Sequence, residues 1–178
     1  MRYFWAQADL KVPLPHYVQI FMLLKESIYL KSSKEIMIAT SNVGKVKEFN
    51  NLFKGYKILS LKDLDIEDPI ENGTSFLENA LIKAKHGAML SKKFTIADDS
   101  GLVVPKLNFE PGIYSARYAG ERATDKDNRD KIINKLNELG LKEMDAYYVC
   151  VLVGIRSYGD PMPIVTQGEI HGKVSFED

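Results

Sequence analysis

Thr40-Ser41-Asn42-Val43-Gly44-Lys45 follows the apolar run Ile36-Met37-Ile38-Ala39. Small polar residues and a Gly-Lys pair, placed where a strand gives way to a helix, suit an anion. Backbone N–H groups of the first helical turn and the positive end of the helix dipole point there. Lys45 adds a full charge, and Ser41 and Asn42 can donate side-chain hydrogen bonds. The loop is not a P-loop: Ala39 stands where GxxxxGK[ST] needs its first Gly, and Val46 where it needs Ser or Thr. For the hexamer by itself, an ordinary turn with Ser41 or Asn42 as helix N-cap is the simpler account.

Asp98 and Asp99 are adjacent carboxylates, which repel unless a cation or donor is near. In an extended chain neighbouring side chains point to opposite sides, so one can face a metal ion while the other orients the loop. Mg²⁺ prefers carboxylate oxygens with room for waters and phosphate oxygens. An Asx-type turn ahead of Gly101 is the alternative. Glu71, in IENGTSF, precedes a capped helix on which Asn79 and Lys83 share a face. The plain alternative for Glu71 and Lys83 is a solvated surface charge. Tyr114, Arg117 and Tyr118 in PGIYSARYAG could touch a base or phosphate, with a buried loop anchor as the plainer role. His16, His86 and His171 have no partner pattern. Together, an anion cradle, an acid, a lysine-bearing helix and an acid pair suggest Mg²⁺-dependent chemistry on a polyphosphate.

The elements that must position these residues read as an α/β chain with a mixed sheet. A strand over 34–40 is apolar on both faces, which suits a buried central position. A helix over 45–53 buries Val46, Phe49 and Phe53, and a short strand covers 56–61. Ser75 and Glu78 form a capping box opening a helix from Phe76 to about Lys92, with an apolar stripe of Leu77, Leu81, Ala84, Ala88 and Met89. A strand over 94–97 ends at the acid pair, and 102–107 is a separate extended segment. Thr124 caps a helix through Leu139 that turns Ile132, Leu136 and Leu139 inward and stops at Gly140. Strands over 146–156 and 163–170 form a hairpin across 157–160. The order is β-α-β-α-β-β-α-β-β.

The 178 residues allow one domain with a substantial core. Lys plus Arg, 24, balances Asp plus Glu, 24, which argues against duplex nucleic acid as a partner. The single cysteine, Cys150, reads as a buried strand residue; it excludes an intrachain disulfide and fits a reducing cytoplasm. The longest apolar stretches fall far short of a membrane span. Residues 1–33 read as an extension outside the catalytic fold, without signal-peptide character and with Met22 or Met37 as alternative starts. Residues 34–178 read as the functional domain.

IATSNVGKVKEF, ENGTSFLENALIKAKHGA, IADDSGLVV and PGIYSARYAG, followed by CVLVGI, occur in one order over residues 34 to about 173. On these motifs the chain resembles the inosine triphosphate pyrophosphatases, which clear non-standard purine nucleoside triphosphates such as ITP, dITP and XTP. The resemblance implies an elongated central mixed sheet flanked by helices, two lobes with a cleft, and a homodimer. It implies hydrolysis of a purine nucleoside triphosphate between its α- and β-phosphates, with Mg²⁺ as cofactor. Thr40, Ser41, Asn42, Val43, Gly44 and Lys45 would hold the triphosphate. Glu71 and Asp99 would bind Mg²⁺, Asp99 would also be the general base, and Ser100 would contact substrate. Asp98, Asn79 and Lys83 would support the site.

Members of that family continue with a Gly-rich segment of the type GFGYDPxF, then a Lys, then a Ser-His-Arg near a C-terminal helix. This sequence ends at Asp178 without them. The expectation from sequence is a C-terminally truncated relative lacking most of the base-gripping apparatus. A truncated, inactive product and a non-enzymatic nucleotide-binding or dimerisation module stand as alternatives to a working enzyme. The retained Lys45, Glu71 and Asp99 favour enzymatic ancestry.

Overall fold

Strand β1 (Glu35–Ile38) is the pivot of the chain. Ile36, Met37 and Ile38 have no exposed surface, as expected of a strand paired on both edges and covered on both faces. A computed structural model describes residues 34–175, so the expectations for residues 1–33 lie outside the described residues. β1 is followed by α1 (Val43–Leu52), β2 (Lys57–Ser60), α2 (Phe76–Ser91) and β3 (Thr95–Val103). Then come α3 (Asp125–Glu138), β4 (Glu143–Ile155) and β5 (Ile164–Ser175). The sheet order is β2-β1-β3-β4-β5.

β1 is parallel to β2, with Ile36 opposite Ile58, and to β3, with Ile38 opposite Ile96. The connection 156–163 between β4 and β5 is too short for a parallel crossover. Their register runs from a close Gly154–Ile164 approach at one end to a Lys173–Glu143 ion pair at the other, which makes an antiparallel hairpin. The sheet is therefore mixed, as the sequence reads.

The described residues divide into two compact units, 34–99 with 151–167 and 100–150 with 168–175. In the first, the chain passes from β1 to β2 on one side and then to β3 on the other. Right-handed crossovers in opposite directions put α1 and α2 on opposite faces of β1. α1 buries Phe49, whose ring stacks at 6.1 Å on that of its buried C-cap residue Phe53, while Val46, read as buried, is only half-buried. α2 packs through its small residues. A Cβ on Gly87 would lie 3.0 Å from both Ala39 Cβ and Thr95 Cγ2, closer than ordinary van der Waals contact, so glycine permits this approach without displacing either neighbour. The buried face is Asn79, Ala80, Lys83, Ala84, Gly87 and Ala88. This corrects the stripe read from sequence: Leu77 is 43% and Met89 38% exposed, because close seating on the sheet leaves the bulkier side chains at the margin.

One cap and one strand boundary also differ. The Ser75 hydroxyl accepts from the Glu78 amide, but the Glu78 carboxylate accepts from the Thr74 amide and hydroxyl, one residue ahead of the cap. The acid pair does not end a strand: β3 runs unbroken through Asp98-Asp99-Ser100-Gly101, past its short pairing with β1 at Thr95 and Ile96, with β4 as its neighbour on the other edge. The order is therefore β-α-β-α-β-α-β-β.

The second unit packs Leu102, Val104, Tyr118, Ile132, Leu136, Met144 and Ala146 together. Thr124 caps α3 in a full capping box with Asp127, and Gly140, at φ +65°, ends it. Leu139 is 50% exposed, not inward, since it is the residue on which the helix stops. Cys150 is only half-buried: cover on its face of β4 thins from Met144 and Ala146 towards Tyr148 and Cys150. Tyr118 is the loop anchor, its hydroxyl on Glu110 and the Lys131 ammonium 4.2 Å from its ring centroid. Tyr114 is exposed and stacks under Arg117.

Glu35 pairs with Lys57 at 2.8 Å and Lys93 at 2.6 Å, and these ammonium groups hold its carboxyl down at about 2. A depressed carboxyl pKa contributes stability above its ordinary value, and that contribution is lost as pH falls through the folded value. Glu35→Gln is therefore expected to lower the melting temperature at pH 7. The gap to wild type should close between pH 4.5 and 2. A gap independent of pH in thermal melts would count against these pairs.

Candidate active site

Where successive crossovers leave a strand in opposite directions, the carboxyl ends of the strands border a crevice that binds ligands. β1 and β3 flank such a point. Residues 40–45 leave β1 there, turning at Thr40, whose amide donates to the Ile38 carbonyl; on β3, Asp98 lies two residues past Ile96, the partner of Ile38.

Asn42 shapes the loop. It is the N-cap of α1, and its Oδ1 accepts from the Gly44 amide at 2.8 Å and the Lys45 amide at 3.3 Å. Thr40 Oγ1 accepts from the Asn42 amide at 3.1 Å. The capping account of the hexamer thus holds, and two amides expected to be free for an anion are already engaged. Val43 is 70% exposed beside them. Lys45 is turned inward, with Nζ 2.5 Å from Asp98 Oδ2, and the two side chains are only 17% and 5% exposed.

Asp99 points to the other face, as alternation along a strand requires. Lys83 Nζ lies 3.3 Å from Asp99 Oδ1 and 3.3 Å from Glu71 Oε1, an ammonium between two carboxylates. Burial pushes the Asp99 carboxyl above the usual carboxylate range and nearby Glu71 adds to this, while Lys83 and Asn79 oppose it. Asp99 Oδ2 is buried without a hydrogen-bond partner. Ser41 borders the loop, half-buried. Ser100 belongs to the other unit, where its hydroxyl accepts from Tyr148 at 3.1 Å.

Gly73 escaped the sequence reading, although the Asn-Gly pair in IENGTSF signals a turn. Its amide donates to Asn79 Oδ1 at 2.9 Å. A Cβ there would lie 2.7 Å from Asn79 Oδ1 and 2.7 Å from Glu78 Cβ, so the loop bearing Glu71 needs glycine to approach α2.

Among the described residues no group of three or more His, Cys, Asp or Glu is placed to hold a metal ion. Glu71 and Asp99 nevertheless fit Mg²⁺. They are hard oxygen donors gathered around one positive charge, with an unpartnered carboxylate oxygen, and Mg²⁺ commonly takes one or two carboxylates and fills its shell with water and phosphate.

A family model described as the Ham1 family matches residues 36–178. The chain belongs to the Ham1 family. It is 47% identical over 144 residues to a dITP/XTP pyrophosphatase of Legionella pneumophila (strain Paris), covering 81% of this chain and 74% of the relative. It is 45% identical to the dITP/XTP pyrophosphatase of Vibrio cholerae, over 79% of this chain and 72% of that one. Among solved structures, a HAM1 protein from Coxiella burnetii matches with a TM-score of 0.73 and 34% identity, over 78% of this chain and 71% of that chain. The Staphylococcus aureus Ham1 protein matches with a TM-score of 0.68 and 41% identity, over 78% and 70%. Membership of the Ham1 family agrees with the pyrophosphatase resemblance carried by the motifs, and the α/β fold agrees with both solved Ham1 structures. Among the described residues no helix of this Ham1 chain is long and apolar enough to cross a membrane.

Proposed function

We propose that this chain hydrolyses non-standard purine nucleoside triphosphates, ITP, dITP and XTP, to the monophosphate and pyrophosphate, and so cleans the nucleotide pool. The observation that carries this reading is the gathering of Glu71, Lys83 and Asp99 on one face of the β1–β3 edge, with the Lys45–Asp98 pair on the other. The relatives' dITP/XTP pyrophosphatase activity supports it.

In this reading Asp99 accepts the proton of the attacking water; burial raises its basicity towards what a general base needs. The bond between the α- and β-phosphates breaks, and Lys45 with the loop around Ser41 and Val43 stabilises the charge on the departing pyrophosphate. Asp98 keeps the Lys45 ammonium inside the site before substrate arrives. Asn42 and Thr40 hold the loop's shape, and Ser100 follows Asp99 on β3 as a substrate contact. Mg²⁺, held by Glu71 and Asp99, would offset phosphate charge and polarise water when bound. The family resemblance also supports a homodimer, and the single cysteine fits a reducing cytoplasm.

The test is pyrophosphate release from ITP, dITP, XTP, GTP and ATP, with and without Mg²⁺. Mg²⁺-dependent release that favours ITP, dITP and XTP is the expected result. A folded protein that releases pyrophosphate from none of them would refute the proposal.

A further inference from the structure

Asn79 has no exposed surface, and its Nδ2 is buried without a partner. Its carbonyl oxygen accepts from the Gly73 amide at 2.9 Å, and this bond fixes which end of the amide is which. The NH₂ group must therefore face the other way. An unsatisfied donor in the interior is costly and calls for a reason. The matching atom is in the same site: Asp99 Oδ2 is a buried acceptor that also lacks a partner. The amide lies near enough to Asp99 to favour its ionised form.

We propose that Asn79 is a positioning residue: its carbonyl holds the loop that carries Glu71, and its NH₂ group sets the orientation of Asp99 through Oδ2. The inference rests on the roles given above to Glu71 and Asp99. One planar amide, rooted on α2, thereby ties together two carboxylates that come from a loop and a strand. A carboxylate oxygen accepts along two lone-pair directions, so a bond from Asn79 leaves one for a ligand. Neither Asp, which has no donor when ionised, nor Ala can do both tasks.

The experiment uses the full chain and two variants, Asn79→Asp and Asn79→Ala. Mg²⁺ alone is titrated by calorimetry, and dITP turnover is measured separately. Groups that orient metal ligands typically change affinity or activity by about 10- to 100-fold when lost. Both variants are expected to show kcat lowered by about that factor, KM within about threefold of wild type, and weaker Mg²⁺ binding. Asn79→Asp keeps an oxygen to accept from Gly73. If it turns over and binds Mg²⁺ like the wild type while Asn79→Ala does not, Asn79 is only a loop anchor and the inference falls. If Asn79→Asp does not fold, undiminished Mg²⁺ affinity in Asn79→Ala overturns the inference and a loss supports it. A wild type that neither binds Mg²⁺ nor releases pyrophosphate defeats the functional reading itself; a working wild type with unaltered variants defeats only the role of Asn79.

Discussion

Asp99→Asn is expected to cut pyrophosphate release by about a thousandfold, the middle of the range for a lost general base. The substitution keeps the shape of the side chain and an oxygen able to face Lys83. It removes the negative charge and the ability to take a proton. It should leave the fold intact: burial disfavours the ionised form of this carboxyl, which suits a neutral amide at a strand position only 7% exposed, although the new NH₂ must face either Lys83 or the Asn79 NH₂, at a cost of about 1–3 kcal/mol. The melting temperature should therefore fall only modestly while kcat collapses. Steady-state turnover and thermal melts on the same preparations decide the matter. Turnover within tenfold of wild type would remove Asp99 from the chemistry, and a large fall in melting temperature would make the loss uninformative about mechanism.

Lys83→Met has a different signature. Its ammonium is the only cation recorded against Glu71 and Asp99 among the described ion pairs. Methionine replaces the stem of the side chain and leaves two carboxylates facing each other. Removing one partner of a buried pair costs about 3–5 kcal/mol. The low end, about 3 kcal/mol, applies here because the Glu71 side chain is 30% exposed and water screens part of the repulsion. The cost should be largest in chelator. A divalent cation supplies positive charge to the same two carboxylates, so Mg²⁺ should raise the melting temperature of Lys83→Met more than that of the wild type. Equal shifts in both proteins would mean that the metal does not settle where Lys83 lies, and an unchanged melting temperature in chelator would mean that the ion pairs contribute nothing.

Much of this site could be read from residue order, and each failure has a physical cause. β1 was legible because Ile36, Met37 and Ile38 put apolar groups on both faces, and only a central strand buries both. The opposite aims of Asp98 and Asp99 followed from strand alternation. The caps at Ser75 and Thr124 followed from local chemistry that needs no tertiary partner. The unbroken course of β3 could not be read, because Asp-Asp-Ser-Gly has turn chemistry by itself and its neighbour in the sheet, β4, is distant in sequence. The face of α2 was misjudged because hydrophobicity ranks Leu77 and Met89 above Gly87, whereas the sheet selects for closeness. Glu71 was found through the motif around it; a loop acid has no periodicity to betray its aim. The pairing of Asn42 with the Gly44 and Lys45 amides shows two accounts of one hexamer to be compatible, since a cap can shape the same turn that presents a lysine.

Asp98 and Asp99 are consecutive residues on one strand, each meeting a lysine from a different helix. Their separation is set by a single peptide unit, about 3.8 Å from Cα to Cα, and not by packing that could yield. β3 is thus a ruler for the site. Adding or deleting one residue between Thr95 and Asp98 would turn both acids over and offer each to the wrong helix, without altering a single chemical group. Substitution can tune such a site gradually. A change in length here has no intermediate.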